Sequence, residues 1–215
     1  MRAPHATARE SPSDRQDCDM SHYPPHATPY STGPARPGSR PPTGDRITAP
    51  LLVASVLCTG LMAGLFFAYD ISVMPGLAEL DDTAYAAAMQ RFNAAIDGSA
   101  LFGLVFLATL ALTVAAAIVT FRRKRRAVAL PLAVAACCYL LVLVVTVAVS
   151  LPLNADLAAL GNPASAQDVH AVIDDFKAVW VPVNVFRTLF CVLSLGALCA
   201  AMLRYGKPES PSALR

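Results

Sequence analysis

The sequence predicts an all-α integral-membrane four-helix bundle, two tandem helical hairpins preceded by a long polar tail. Three observations carry that expectation. Of 215 residues, 55% are apolar and only 15% charged, with a mean hydropathy of +0.50, which is too apolar for an ordinary soluble domain. Residues 51–74, 99–121, 127–151 and 181–203 are each long enough to cross about 30 Å of hydrocarbon at about 1.5 Å per residue. Charge is also sorted by loop. Arg122-Arg123-Lys124-Arg125-Arg126 joins the second and third runs, Arg36, Arg40 and Arg46 precede the first, and Arg204, Lys207 and Arg215 follow the fourth. The other two loops hold Arg91 and Lys177 against Glu79, Asp81, Asp82, Asp97, Asp156, Asp168, Asp174 and Asp175.

This asymmetry, hidden in a net charge of +2, points to a multi-pass protein of the cytoplasmic (plasma) membrane. Both termini and the basic loop are expected in the cytoplasm, and loops 75–98 and 152–180 outside. The lipid bilayer is then the expected partner. Nucleic acid is not, because a short basic loop pinned between two spans has little reach.

Residues 1–48 form a separate region. Ten of the 17 prolines fall within residues 1–50, among Ser, Thr, Gly, His and Arg. Such a segment buries too little apolar surface to offset its ordering entropy, so a disordered cytoplasmic tail is expected. It lacks the apolar core of a signal peptide, so the first span is expected to serve as an uncleaved signal-anchor, and Met20 is an alternative start. The membrane domain is read as 49–205 and a cytoplasmic C-terminal tail as 206–215.

In the first span, Ser55, Thr59, Met62, Phe66 and Tyr69/Asp70 recur at the spacing of one helical face. Gly60 and Gly64 form a small-xxx-small pair, a candidate homodimer face. The chain leaves this span as Met74-Pro75-Gly76-Leu77-Ala78-Glu79-Leu80, and the third as Leu151-Pro152-Leu153-Asn154-Ala155-Asp156-Leu157. Both have Pro, then Ala, acid and Leu at matching offsets. With Phe92, Ala94, Phe102 and Phe106 aligning on Phe176, Ala178, Phe186 and Phe190, this suggests a duplicated hairpin with a short helix after each exit. Asp81-Asp82-Thr83 offers an acidic helix start before the second span. In that amphipathic helix Tyr85, Met89, Phe92 and Ile96 are expected on one face, and Gln90, Asn93 and Asp97 on another.

Cys58, Cys137, Cys138, Cys191 and Cys199 lie in spans, Cys18 in the tail, and no CxxC spacing occurs. They read as small packing residues rather than disulfides or metal ligands. His5, His22 and His26 lie in the tail and His170 in a loop. No span carries a histidine for a haem, and no metal site is expected.

Chemistry centres on Arg187. A guanidinium at the centre of a membrane helix costs roughly 2.5–3.5 kcal/mol, so an anion, a wet cavity or a ligand must offset it. Trp180, Asn184, Arg187, Cys191 and Ser194 share one helical face. Asp70 lies roughly 7–8 Å inside Pro75, and Arg187 roughly 9 Å inside Val181 from the same side. Matching depth makes them expected partners, either as a register pin between helices or as the heart of a site. Trp180, Tyr69, Asn154, Asn184, Asn93 and Gln90 gather at the same end, and aromatic walls with a few polar groups suit a small lipophilic ligand. No Ser-His-Asp set or phosphate loop can be assembled.

The run GLFFAYDISVMPGL (64–77), MQRFNAAI (89–96), LPLN (151–154) and the spacing of Trp180, Asn184 and Arg187 resemble the anthrone oxygenase-like family of small four-span membrane proteins. The resemblance covers about residues 50–205. It implies oxidation of anthrones to anthraquinones, as attributed to fungal relatives, without a metal or flavin cofactor. On that reading Arg187 stabilises an oxyanion, and Asp70 acts as base or orients Arg187. Trp180 stacks on the substrate, while Asn154, Asn184, Asn93, Gln90 and Tyr69 bind it. The alternatives are a non-catalytic lipophile binder or accessory subunit, and a small dimeric transporter.

Overall fold

The computed structural model describes residues 45–207. The chain divides into units 1–40 and 41–215, and only the second contains described residues. The tail expected to be disordered, up to residue 44, and the chain end from 208 lie outside them.

The described chain is helical, with no strand among these residues. Helix α1 (Asp45–Ala68) leads through a π-helical segment, Tyr69–Val73, into α2 (Met74–Ala78); α3 (Asp82–Asp97) and α4 (Ala100–Arg122) follow. The second half repeats the plan: α5 (Arg126–Val145), a π segment Thr146–Ser150, α6 (Leu151–Ala159), a 3-10 turn Pro163–Ser165 and α7 (Val169–Tyr205). Four helical stretches are long and apolar enough to cross a membrane: Arg46–Ala78, Ala100–Arg122, Arg126–Ala159 and Val169–Tyr205. Three of them outrun the 51–74, 127–151 and 181–203 runs because the helices continue past the apolar stretch into their capping segments.

The four long helices form a ring in which α1 packs on α4, α4 on α5, α5 on α7 and α7 on α1. The polarity pattern is inverted relative to a soluble bundle. Leu57, Leu61, Leu101, Leu104, Leu130 and Leu203 point outward and are exposed, whereas Ser55, Thr59, Thr109, Thr113, Thr120 and Ser194 are fully buried. Most of these buried hydroxyls are tolerated because a serine or threonine can donate to a backbone carbonyl one turn earlier or across to a neighbouring helix; the Thr59 hydroxyl has no partner among the described residues. Thr109 donates to Val105 O at 2.7 Å, Thr113 to Thr109 O at 2.7 Å, and Ser55 to Leu51 O at 2.8 Å. Others bridge helices: Ser194 Oγ donates to Ala135 O at 2.9 Å and Tyr139 Oη to Phe106 O at 3.1 Å. The inward stripes expected on α1 and α7 are the buried faces of those helices. A Cβ added at Gly60 or Gly64 would meet nothing within 4 Å, so this bundle makes no use of their small size.

The π segments explain the shared exit sequence. A proline inside a helix lacks an N–H and crowds the carbonyl four residues back. Pro75 and Pro152 stand just beyond the two π segments, whose wider turn is closed by Met74 N–H to Tyr69 O and by Leu151 N–H to Thr146 O. Each i+5 to i bond marks a widened turn beside the proline, a local device common at functional sites.

The two halves diverge at their second helices. Helix α3 ends at Gly98, and Ser99 caps α4 by accepting the Phe102 N–H at 3.2 Å. The aligned positions in α7 are Pro182 and Val183, which offer no cap, so the expected separate short helix is fused into one 37-residue α7. The acidic start of α3 behaves as expected: Asp81 caps it, accepting the Ala84 N–H at 3.0 Å. Its faces differ from expectation. Tyr85, Ala86, Met89 and Asn93 are buried while Phe92 is exposed, because α3 lies along α7 and α6 at an angle that turns Phe92 away.

Candidate functional site

The end of the bundle carrying α2, α3 and α6 contains an open-mouthed cleft with a cavity volume of about 50 Å³. Every layer of the local fold contributes to it. Leu65, Phe66 and Tyr69 come from α1 and its π segment; Asn93, Ile96 and Asp97 from α3; Phe102 from α4. Thr146 and Ser150 come from the second π segment, Leu151 and Asn154 from α6, and Trp180, Asn184 and Arg187 from α7. The walls are mainly apolar and aromatic. Trp180 packs between Phe176 and Tyr69, with ring centroids 6.1 and 5.6 Å away, and its indole N–H donates to Asn154 Oδ1 at 3.1 Å. That bond fixes the ring orientation across α6 and α7.

Arg187 is 6% exposed. Its guanidinium carbon lies 4.5 Å from the Phe66 ring centroid and 5.4 Å from that of Trp180, where the negative ring faces attract a cation. Nη2 donates to Asn184 Oδ1 at 2.8 Å. Asn184 in turn donates through Nδ2 to Phe66 O at 2.9 Å and Asp70 Oδ1 at 2.5 Å. Thr188 Oγ1 donates to the other Asp70 oxygen at 2.5 Å.

The expected Asp70–Arg187 partnership is therefore a relay. Their depths match, yet Asn184 stands one turn nearer on the same face and fills the gap, so the charges meet through its amide. Asp70 does not line the cleft, and both of its oxygens are engaged. This geometry fits the orienting role rather than that of a base.

Of the other residues singled out from sequence, Trp180, Asn184, Asn154, Asn93 and Tyr69 all line the cleft with Arg187. Gln90 does not. Its Nε2 donates to Leu157 O at 2.8 Å and Gly161 O at 3.1 Å, binding the end of α6 to α3. Three residues separate Gln90 from Asn93, enough to place one amide against α6 and the other in the cleft.

Three residues went unrecognised as site members: Ser150, Thr146 and Asp97. Thr146, Ser150 and Asn154 follow one another at i, i+4 and i+8, and Asp97 is four residues after Asn93. Those spacings were the available signal. Asp97 is exposed at the rim of the cleft, and desolvation by its neighbours still pushes its carboxyl above the ordinary value.

Three polar residues of the cleft wall carry a buried atom without a partner. Asn93 Nδ2, Ser150 Oγ and Arg187 Nε have no hydrogen-bond partner among the described residues, and their residues are 7%, 1% and 6% exposed. A buried unsatisfied donor costs about 1–3 kcal/mol. Three on the walls of one cleft make a constellation suited to a ligand's oxygen acceptors. Among the described residues, no group of three or more His, Cys, Asp or Glu is placed to hold a metal ion.

Fold and cleft together define a bundle of four membrane-length helices with one end hollowed into an aromatic, cation-bearing pocket. A comparison bears on the family: residues 92–197 match the family model described as anthrone oxygenase, which is consistent with an anthrone oxygenase-like family. The matched segment runs from α3 into α7. It takes in Asn93, Asp97, Ser150, Asn154, Trp180, Asn184 and Arg187, and leaves Tyr69 and Asp70 outside. Comparison with curated proteins and with solved structures gave no match.

Proposed function

We propose that this protein is a cytoplasmic-membrane oxidoreductase that oxidises a lipophilic phenolic carbon acid with O₂ and without a cofactor. The carrying observation is that Asn93, Ser150 and Arg187, each with a buried polar atom that has no hydrogen-bond partner among the described residues, line one cleft with Trp180, Tyr69 and Phe102. A planar aromatic fills such walls, and its carbonyl or phenolate oxygen satisfies the donors.

An anthrone is acidic at its central methylene because the resulting anion is an aromatic phenolate. A cation and amide donors beside the developing oxyanion lower the barrier to forming it. Arg187 supplies the charge and Asn93 a neutral donor; Asp70 acts through Asn184 to hold the guanidinium in place. The electron-rich anion then reacts with O₂ directly. Trp180 stacks on the substrate. The basic loop 122–126 and both termini lie on the cytoplasmic side by the positive-inside rule, so the cleft opens in the outer half of the bilayer, where a lipophilic substrate arrives by partitioning.

The test is O₂ uptake by purified protein in detergent micelles with anthrone as substrate. Uptake above the spontaneous rate, lost in Arg187→Ala, is the expected result. Saturable binding of anthrone without any uptake would favour the non-catalytic binder instead.

A further inference from the structure

We propose that Asp97 is the proton acceptor of this cleft, removing a proton from a carbon acid whose conjugate oxyanion is held by Arg187 and Asn93. The inference rests on the reading of the cleft as a site for lipophilic phenolic carbon acids, and it names the group that starts the reaction.

Asp97 is the sole carboxylate among the lining residues. The alternative, Asp70, sits behind Asn184, does not line the cleft, and has both oxygens occupied by hydrogen bonds at 2.5 Å. Asp97 is the last residue of α3, one turn beyond Asn93, so the free amide of Asn93 and this carboxylate share a face. The position is fixed from both sides. Gly98 N–H donates to Ala94 O at 3.0 Å, and the Ser99 cap starts α4. Desolvation is the one influence acting on its carboxyl, with no cation or hydrogen bond opposing it, and a raised carboxylate is a stronger base.

The step balances without help from any absent group. The methylene C–H bond breaks, its proton passes to Asp97, and the electron pair moves through the ring onto the carbonyl oxygen beside Arg187. O₂ is the oxidant. A C–O bond forms at the former methylene carbon, O₂ is reduced to the peroxide level, and the proton on Asp97 returns to give the hydroperoxide. The second C–H bond then breaks as the O–O bond breaks; a carbonyl forms, and the released proton and hydroxide leave as water.

The experiment separates proton transfer from oxidation. Anthrone deuterated at the methylene is incubated with the purified full chain in micelles without O₂, and loss of label to water is followed by mass spectrometry. Occupancy is read from fluorescence of Trp180, the only tryptophan in the chain. The wild type is expected to accelerate exchange over buffer. Asp97→Asn is expected to lower that acceleration by about 100-fold or more, the usual contribution of a positioned base, with anthrone still quenching Trp180 over the same concentration range. Asp97→Glu is expected to exchange faster than Asp97→Asn.

Exchange or aerobic O₂ uptake in Asp97→Asn within tenfold of wild type would overturn the assignment while leaving the proposed function standing. Loss of Trp180 quenching in Asp97→Asn would overturn it by making Asp97 a binding residue. Asp97-dependent exchange with no O₂ uptake in air would support it and overturn the oxygenase reading. No exchange in wild type would overturn both.

Discussion

Replacing Arg187 with methionine separates a register pin from a functional group. A guanidinium inside a membrane helix costs roughly 2.5–3.5 kcal/mol. Its structural return is one charge-assisted hydrogen bond at 2.8 Å to Asn184, worth about 1.5–3 kcal/mol. Contacts with Phe66 and Trp180 at 4.5 and 5.4 Å add about 1 kcal/mol in total. The two sides nearly cancel. Removing Arg187 leaves Asp70 with both of its hydrogen-bond donors, Asn184 and Thr188. Arg187→Met is therefore expected to change unfolding free energy by less than about 1.5 kcal/mol, a balance of the terms above, while abolishing ligand binding. Denaturant titration in mixed lipid–detergent micelles measures this. A loss beyond about 3 kcal/mol, the cost of breaking a buried ion pair, would refute the reasoning and make Arg187 a pin.

Further expectations follow from the same geometry. Asp70→Ala leaves the Thr188 hydroxyl without its acceptor and the Asn184 amide with Phe66 O alone, so it is expected to cost about 1–3 kcal/mol in the same titration and to weaken binding through the displaced guanidinium. Asn93→Leu removes a donor that has no partner, so stability should hold or rise; affinity for anthrone, read by Trp180 quenching, should fall about tenfold for a lost hydrogen bond of about 1.4 kcal/mol. The start of α3 is tied to α7 by Asp82, which contacts His170 Nδ1 at 2.7 Å and Lys177 Nζ at 3.3 Å. The His170 hydrogen bond, and then Lys177, hold the Asp82 carboxyl below its ordinary value of 3.8. A depressed carboxylate contributes fully above that ordinary value and loses its contribution as pH falls through the folded-state value. Hydrogen exchange in α3 should therefore stay slow at pH 5 and speed up, relative to α4, only below 3.8.

Much of this was legible in the sequence because helices buried on one stripe repeat at 3.6 residues. The four spans, the inward faces of α1 and α7 and the Asp81 cap could be read from spacing, as could Tyr69, Asn93, Asn154, Trp180, Asn184 and Arg187 as a group at one end of the bundle. What escaped was set by geometry that spacing does not encode. The twin exits around Pro75 and Pro152 marked a shared device, but only coordinates show two π segments, with Tyr69 and Ser150 on them lining one cleft. Depth paired Asp70 with Arg187 correctly to within a turn, yet could not see that the Asn184 amide fits between them. Gln90 and Asn93 shared a polar stripe on paper; the angle of α3 sends one to α6 and the other to the cleft. Asp97 falls on the polar face of α3 with Gln90 and Asn93 and counts among the loop's acids, but its spacing alone does not show that this face borders a cleft.

The central claim is that the unpartnered polar atoms around Arg187 form a ligand site. Titrating the purified protein with anthrone while following Trp180 fluorescence tests it most directly, since the indole packs on the cleft and no other tryptophan contributes. The account predicts saturable quenching in wild type and at least tenfold weaker quenching in Arg187→Met, about 1.4 kcal/mol or more of lost binding. Identical titration curves for the two proteins, or none that saturates, would contradict it.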